Sequence, residues 1–256
     1  MLRFVINLNT SVTRWKHMQK SLKELNIQVM RVEAVNGKLL TDKEKDIYLK
    51  KTSSFLEPSY RRNLTASEIG CFLSHRKCWE ILSQSKEKWA LVMEDDILFS
   101  KRAQQYINSY SWIPSKVNIV QLFSFDEQSD AKILDDKIQL PNDDCLIRLV
   151  HPIPWGCQAY WISKIAAEEA LRASVQFSVP VDDFLFNPIY NFSKKFPVYR
   201  LDPAVILVQP ADAAPSTIGN RKVLETKKGN LVYYINRLLL YIREIFFSRR
   251  YKISFK

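Results

Sequence analysis

Hydrophobic residues occur along the chain in two patterns, short apolar runs and stripes at helical spacing. Residues 3–9 (RFVINLN) form a run rich in β-favouring residues, and residues 28–35 form a second run that ends at the turn pair Asn36-Gly37. Between these runs lies a helical stripe made of Val12, Trp15, Met18, Leu22 and Leu25. A strand–helix–strand order of this size predicts the start of a parallel sheet.

The most informative stretch is residues 89–100 (WALVMEDDILFS), where an apolar run leads directly into Glu94, Asp95 and Asp96. Such a run is typical of a buried central strand, whose carboxyl end is where open α/β sheets bind ligands. Three acids there would repel one another and lose hydration unless a cation or hydrogen-bond donors met them. Oxygen ligands of this kind suit Mg²⁺ or Mn²⁺ carrying a substrate diphosphate. The alternative is a strand end whose acids face water.

Two further residues lie close to this predicted strand end. Thr65 and Glu68 form a capping box ahead of a helix, and that helix places His75 on its apolar face at about 100° per residue. His75 is therefore either a hydrogen-bonded core residue or a partner of the ligand or metal-site residues. Arg14 falls in the first turn of the first predicted helix, where it is placed to meet a ligand phosphate or is simply solvated.

The second half of the chain continues the alternation of elements. Gly156 lies in a predicted strand over residues 154–163 and allows close backbone approach there. Asp182 and Asp183 form a second acid pair, which either caps a helix or belongs to the site. The other predictions are helices over 42–50, 101–111 and 164–172, strands over 117–123, 197–201 and 204–208, a loop over 124–137, an antiparallel pair over 133–140 and 145–150, and a flexible connector or lid over 211–230.

The chain end is both apolar and basic. A helical stripe there consists of Leu231, Ile235, Leu238, Ile242 and Ile245. Six Lys and Arg residues oppose one acid, Glu244, over residues 231–256. Charges inside the apolar run argue against a transmembrane helix and favour a basic amphipathic helix on an anionic membrane surface. The alternative is a terminal helix packed on the core with a solvated basic end.

Composition narrows the class of protein. The 256 residues are enough for one sizeable core, and 46% hydrophobic and 25% charged content is typical of a globular chain. Only 5 glycines are present, and no glycine-rich phosphate loop occurs. The net charge of +11 comes without a nucleic-acid-binding motif, so no nucleic-acid partner is expected. The four cysteines form no CxxC pair, and Met1-Leu2-Arg3 leads straight into a strand, which favours a reduced, cytoplasmic protein.

With these motifs in place, the chain resembles glycosyltransferase family 25, the lipopolysaccharide-biosynthesis galactosyltransferases of Gram-negative bacteria. The resemblance covers about residues 3–218 and departs from the family at Asn36, where Asp commonly precedes Gly. It rests on the segments FVINLNTSVTRW, LTASEIGCFLSHRKCWE, ALVMEDDILF, GCQAYWIS and PVDDFL, together with residues 203–209.

The resemblance implies an α/β fold, a GT-A-like and mostly parallel αβα sandwich, assigned to residues 1–228. The residue pattern of the chain end adds a C-terminal basic amphipathic helix over 229–256, outside the resemblance. It implies a metal-dependent inverting enzyme that moves a sugar, by family leaning galactose, from a UDP-sugar donor to a lipooligosaccharide or lipopolysaccharide core acceptor. Glu94 and Asp95 would face the donor ribose and the metal surroundings, and Asp96 would ligate Mn²⁺ or Mg²⁺. Residues expected near the donor are Arg14, Asn36, His75 and Gln158.

Asp182 or Asp183 is hypothesised as the catalytic base, because the attacking acceptor hydroxyl must lose a proton. We expect the protein to work on the cytoplasmic side, peripheral on the inner face of the bacterial inner membrane. Two alternatives remain open at this point: a catalytically silent GT-A-like binding protein, and a metal-dependent nucleotidyltransferase.

Overall fold

The computed structural model of the chain describes residues 1–50, 57–60, 62–151, 155–209 and 228–256. Its strands are β1 (Leu2–Asn7), β2 (Met30–Glu33), β3 (Trp89–Glu94), β4 (Ile97–Phe99), β5 (Ile119–Gln121), β6 (Phe123–Ser124), β7 (Gln128–Leu134), β8 (Ile138–Gln139), β9 (Cys145–Ile147), β10 (Leu149–His151), β11 (Ala159–Ser163), β12 (Val198–Asp202), β13 (Ile206–Val208) and β14 (Ser248–Ser254). Its helices are α1 (Val12–Glu24), α2 (Asp42–Tyr48), α3 (Ala66–Gln84), α4 (Ala103–Ile107), α5 (Lys164–Ala173), α6 (Val181–Phe186), α7 (Asn191–Lys195) and α8 (Leu231–Phe247).

The fold is mixed α/β around a large, mostly parallel sheet. Its eight strands lie in the order β2-β1-β3-β11-β5-β12-β9-β8. Strands β2, β1, β3, β5, β12 and β8 point the same way, whereas β11 and β9 run antiparallel to their neighbours. The expected fold class is therefore confirmed. Because β11 is reversed, its beginning lies at the sheet edge where β3 and β5 end.

Helices cover both faces of this sheet, because successive side chains of a strand point to opposite sides. Along β1, Phe4 joins the cluster packed by α3, α5 and α6, and Val5 joins the cluster packed by α1 and α4. Tyr160 and Trp161 divide in the same way along β11. The result is the αβα sandwich expected from the sequence.

The capping box at the start of α3 is confirmed. Thr65 Oγ1 accepts from the backbone N–H of Glu68, and the Glu68 carboxylate accepts from the N–H of Thr65. Glu68 is buried and also accepts from Arg62, which satisfies its charge inside the protein. This end of α3 is consequently fixed, and with it the position of His75 two turns later.

Two predictions about chain segments are wrong. Residues 128–134 lie in the predicted loop over 124–137 but form strand β7, and residues 248–254 form strand β14 rather than more helix. The two strands pair antiparallel from Ser248↔Leu134 to Ser254↔Gln128. Each segment gains its hydrogen-bond partner from a distant part of the chain, which local periodicity does not register. Of the predicted connector over 211–230, residues 211–227 lie outside the described residues.

Helix α8 is docked on the body through one face only. The side chain of Asn230 caps it by accepting from Tyr233 N–H, and Asn236 donates to the backbone oxygen of Ile189. The predicted apolar stripe faces away from these contacts, and all five of its residues are exposed: Leu231, Ile235, Leu238, Ile242 and Ile245. No helix among the described residues is long and apolar enough to cross a bilayer.

Candidate functional site

A cleft of about 240 Å³ opens at the sheet edge where β1 and β3 end and β11 begins. Glu94, the last residue of β3, and Asp95 and Asp96 after it form an acidic triad. This triad lines the cleft together with residues from the first 75 positions. Every residue expected at the donor or the metal contributes to the lining: Arg14, Asn36, His75, Glu94, Asp95, Asp96 and Gln158. The side chains that the sequence singles out for the donor and the metal thus lie together at the carboxyl end of the parallel strands.

Asp95 is held by hydrogen bonds from two sides of the cleft. Arg14 Nη1 lies 3.2 Å from Asp95 Oδ1, and Asn7 Nδ2 donates to Asp95 Oδ2. Arg31 in turn donates through Nε to Asn7 Oδ1 at 3.0 Å, which orients the amide. Arg14 therefore reaches the predicted donor region, but its charge is directed at a carboxylate of the triad.

Asp96 is the most perturbed acid of the triad. Burial raises its pKa to about 7, and the nearby charges of Glu94 and Asp95 act in the same direction. Its Oδ1 is buried without a hydrogen-bond partner among the described residues, and so is Oε1 of Gln158. Two orphaned oxygens in one cleft are costly unless a ligand meets them.

The donor set around Asp96 fits a hard divalent cation. Carboxylate and amide oxygens are the ligands that Mg²⁺ and Mn²⁺ prefer. Asp96 would hold the ion with the help of Gln158 and of the neighbouring carboxylates of Glu94 and Asp95. The positive charge of a cation there would also offset the burial and the carboxylate repulsion that raise the Asp96 pKa.

Glu94 is connected to the protein core by a chain of hydrogen bonds. Trp79 Nε1–H donates to the Tyr160 hydroxyl at 3.0 Å, and that hydroxyl lies 2.9 Å from His75 Nδ1. His75 Nε2 lies 3.3 Å from Glu94 Oε1. Because the tyrosine oxygen already accepts from Trp79, we assign its proton to His75 Nδ1, which leaves the imidazole proton on Nε2 facing Glu94.

His75 is fully buried, and burial lowers its pKa to about 3. The ring is therefore neutral near neutral pH and acts as a hydrogen-bond donor rather than as a charge. His75 is thus a hydrogen-bonded core residue that also contacts Glu94, and its role toward a ligand or a metal stays a prediction.

A second possible ligand cluster involves sulfur. One ligand atom each of Cys71, His75 and Glu94 lie within 4.8 Å of one another. A metal bound at His75 Nε2 would displace the proton onto Nδ1 and turn the Tyr160 contact around, leaving the tyrosine proton without this acceptor. The hydrogen-bond chain therefore argues against a metal at this cluster.

The turn at Asn36 is pressed against α3. Asn36 Oδ1 accepts from Lys38 N–H at 3.1 Å and caps a short 3₁₀ turn, Gly37–Leu39. A Cβ on Gly37 would lie 1.7 Å from the backbone oxygen of Ala66, and a Cβ on Gly70 would lie 2.4 Å from that of Val35. The two glycines allow the backbone of the turn to contact the backbone of α3, and this contact places Asn36 at the cleft.

The second acid pair does not line the cleft but lies in the first turn of α6, behind Gly156. Asp182 Oδ2 accepts from the Gly156 N–H at 3.1 Å, and its charge raises the pKa of His75 against the larger effect of burial. Asp183 accepts from Asn187 Nδ2 at 2.6 Å; after burial, its charge raises the pKa of Tyr60 more than that of Asp182 does. The two carboxylates thus have different hydrogen-bond partners in the structure, a difference that the sequence does not predict.

Several site residues escape the sequence-based prediction. Asn7 interrupts the apolar run of β1 at its end, which is a usable signal for a polar contact at the sheet edge. Tyr160 and Trp79 carry no such signal, because they belong to apolar patterns that predict only core. Their role depends on strand register, in which Tyr160 pairs with Val92.

The sequence of the chain matches a known protein family. Residues 1–185 match the family model described as glycosyltransferase family 25 (LPS biosynthesis protein). The chain belongs to glycosyltransferase family 25. A glycosyltransferase 25 family member of Aedes aegypti is 38% identical over 184 residues, covering 71% of this chain and 30% of that protein. Procollagen galactosyltransferase 1-B of Xenopus laevis is 28% identical over 204 residues, covering 75% and 32% respectively.

This member of family 25 spans about a third of the length of these curated relatives. Among solved structures, a glycosyltransferase involved in glycosylation of the major capsid of PBCV-1 superposes with a TM-score of 0.40 at 9% identity, covering 85% of this chain and 95% of that one. A superposition of that quality adds nothing to the functional argument, which rests on the family match and the cleft.

Proposed function

We propose that the chain is a metal-dependent inverting glycosyltransferase that moves galactose from UDP-galactose to a lipooligosaccharide or lipopolysaccharide core acceptor. The observation that carries this proposal is the pair of orphaned oxygens, Asp96 Oδ1 and Gln158 Oε1, in a cleft that the other predicted donor residues also line. Family membership supports sugar transfer, and two features of the protein support the donor and the acceptor.

The cleft suits the diphosphate of a nucleotide-sugar. Helix α1 starts beside it, with no acidic residue in its first turn, so its N-terminal N–H groups and Arg14 present positive potential to an anion. Asp96, with Gln158 and the neighbouring carboxylates, would hold a divalent cation, which would supply stabilisation of the negative charge on the departing diphosphate. Arg14, which lines the same cleft, would contact the phosphates.

Asp182 is the better candidate for the base. Transfer with inversion breaks the bond from the anomeric carbon to the diphosphate oxygen, and the acceptor oxygen bonds to that carbon from the opposite face. The acceptor proton then passes to a carboxylate. Asp182 lies next to Gly156, two residues before Gln158 of the cleft, whereas Asp183 is engaged by Asn187.

The C-terminal segment, made of α8 and β14, supports a membrane-bound acceptor. The exposed apolar stripe of α8 has no partner within the described part of the chain, and basic residues of β14 follow it directly. An apolar helix face next to Arg249, Arg250 and Lys252 complements an anionic bilayer. A lipid-linked acceptor would then be presented to the cleft at the inner face of the membrane.

The galactosyl part of the proposal is suggested by relatives named procollagen galactosyltransferases, and the acceptor by the family's description as an LPS biosynthesis protein. The test is a matrix of UDP-sugars against a truncated lipooligosaccharide and a collagen peptide, with Mn²⁺ and products identified by mass spectrometry. Galactose on the lipooligosaccharide with release of UDP is expected. Transfer only to the collagen peptide would refute the acceptor, and pyrophosphate release would indicate nucleotidyl transfer instead.

A further inference from the structure

Trp155 is an exposed aromatic residue beside the site. It is 55% exposed, and it alone is exposed among the six tryptophans, all of which lie in the described part of the chain. Leaving a large indole surface in water forfeits the free energy that burial would supply. Trp155 does not line the cleft itself but precedes Gln158 of the cleft by three residues, so this exposed tryptophan is a candidate for contact with a ligand that extends out of the cleft.

The Trp155 ring is held in place by a second aromatic residue. Its centroid lies 4.3 Å from that of Phe125, with 15° between the ring planes. Phe125 in turn contacts the buried Phe123 edge-on, at 5.5 Å and 90°. The stack covers one face of the indole and anchors it to the core, so the exposed surface belongs to the opposite face and the edges.

The backbone after Trp155 connects this ring to the catalytic residues. Gly156 has φ +80°, a conformation that favours glycine, and a Cβ there would lie 2.4 Å from Gln158 Oε1 and 2.9 Å from Phe125 Cζ. The Gly156 N–H donates to Asp182 Oδ2. Trp155 therefore sits one residue from the contact to the candidate base and three residues from the cleft oxygen of Gln158.

We propose that Trp155 is a stacking platform for the pyranose ring of the acceptor sugar. A hexopyranose such as β-linked glucose or galactose has one face made mainly of C–H groups, which packs on an indole while its hydroxyls stay hydrogen-bonded. Trp155 directly precedes Gly156, whose N–H donates to Asp182, the residue to which the acceptor hydroxyl would give its proton. The inference rests on the proposed function, because it assigns the acceptor side of the same site.

The first test observes the ring directly. Protein labelled with 5-fluorotryptophan gives six ¹⁹F resonances, and Trp155→Phe identifies that of Trp155. With Mn²⁺ and UDP bound, methyl β-glucoside, methyl β-galactoside and lactose are titrated in turn. A saturable shift of the Trp155 resonance with at least one glycoside is expected. A resonance unmoved by all three overturns the platform.

The second test separates acceptor binding from donor chemistry. UDP-galactose hydrolysis, with water as acceptor, should be unchanged in Trp155→Ala, whereas the KM for an acceptor glycan should rise about 3- to 10-fold, the range expected for one lost aromatic contact. Trp155→Phe should restore most of the affinity. Ile165→Ala, at a residue 66% exposed on α5, is the matched surface control.

The outcomes distinguish a failure of the Trp155 platform from a failure of the proposed function. An unchanged acceptor KM in Trp155→Ala, or an equal loss of hydrolysis, overturns the platform while the proposed function stands. Absence of UDP-galactose hydrolysis and of UDP binding in the wild type counts against the proposed function, and the ¹⁹F titration of the same glycosides, repeated without nucleotide, then tests the platform by itself.

Discussion

His75 Nε2 donates to Glu94 Oε1 across 3.3 Å, and this contact joins the buried core to the acidic cleft. The imidazole is held in this orientation by two further hydrogen bonds: the Tyr160 hydroxyl donates to Nδ1, and Trp79 Nε1–H donates to the Tyr160 oxygen. Such outer contacts orient the groups that touch a ligand or a metal, and their loss commonly weakens binding or activity. Glu94 is accordingly positioned by His75 and, through His75, by Tyr160 and Trp79.

The hydrogen-bond chain predicts a graded response to substitution. His75→Leu removes the donor to Glu94 and should lower kcat/KM for UDP-galactose about tenfold or more. His75→Gln can keep an N–H at the position of Nε2 and should retain most of the activity. Equal losses in the two variants, at equal thermal stability, would contradict a positioning role for His75.

The same chain fixes the imidazole tautomer. With ¹⁵N-labelled histidine, the imidazole signal that His75→Gln removes from those of the three histidines should be that of an Nε2–H form, and it should stay neutral down to about pH 4. In Tyr160→Phe, which deletes the donor to Nδ1, the tautomer preference should weaken. An Nδ1–H form in the wild-type protein would contradict the assigned direction of the chain.

The raised pKa of Asp96 predicts a pH-dependent stability. Its folded-state pKa of about 7 exceeds the ordinary 3.8, so the folded protein binds this proton more tightly than the unfolded chain. The contribution of Asp96 to the free energy of unfolding therefore falls as pH rises from about 4 to about 7. Without divalent cations, Asp96→Asn should raise Tm above pH 7 by about 2–4 °C per kcal/mol regained, and the gain should vanish near pH 4.

Adding a divalent cation gives a second Tm measurement that depends on Asp96. Mn²⁺ should raise the Tm of the wild type above pH 7 by binding the folded state, and it should do so much less in Asp96→Asn. Asp130→Asn, at an exposed residue outside the cleft, is the matched control and should behave as the wild type. A Tm gain of the same size for Asp130→Asn would point to the general charge balance rather than to the site.

The two acids of α6 are predicted to differ in their effect on catalysis. Asp182→Asn should lower kcat for transfer about 10²- to 10⁴-fold, the range for loss of a general base, while UDP binding is preserved. Asp183→Asn should keep turnover within about tenfold, because its carboxylate is engaged by Asn187. The reverse order would assign the base to Asp183, and full activity in both variants would exclude the pair.

The exposed face of α8 predicts membrane binding without a role in folding. Leu238→Glu combined with Ile242→Glu should leave Tm nearly unchanged, since both side chains are exposed, and should weaken binding to anionic vesicles about tenfold or more. Val175→Glu, at an exposed residue between α5 and α6, is the control. Activity on a small soluble acceptor should persist in all three proteins. Unchanged vesicle binding of the double variant would contradict the membrane proposal.

The cleft is the part of the structure that the sequence predicts best. The triad at residues 94–96 follows the strongest apolar run, and the capping box fixes the helix that carries His75, so both are encoded locally. The chain bends after Glu94, however, and β4 joins β13 and β6 in a separate small sheet. An apolar pair such as Ile97-Leu98 looks the same whether it extends a strand or starts another.

Non-local pairing accounts for the rest of what the sequence does not predict. Strand β7 is held by β14, more than a hundred residues further along the chain. The direction of β11 is equally a tertiary property, and it decides that Trp155, Gly156 and Gln158 lie at the functional edge of the sheet. The difference between Asp182 and Asp183 likewise depends on which neighbours pack against each carboxylate.

The measurement that tests the central claim most directly is the rate of UDP release from UDP-galactose, with Mn²⁺, with Mg²⁺ and with chelator, for the wild type and for Asp96→Asn. The account predicts cation-dependent release by the wild type and a loss of about 10²-fold or more in the variant. Release that continues in chelator, or that survives in folded Asp96→Asn, would contradict a metal-dependent transferase centred on Asp96.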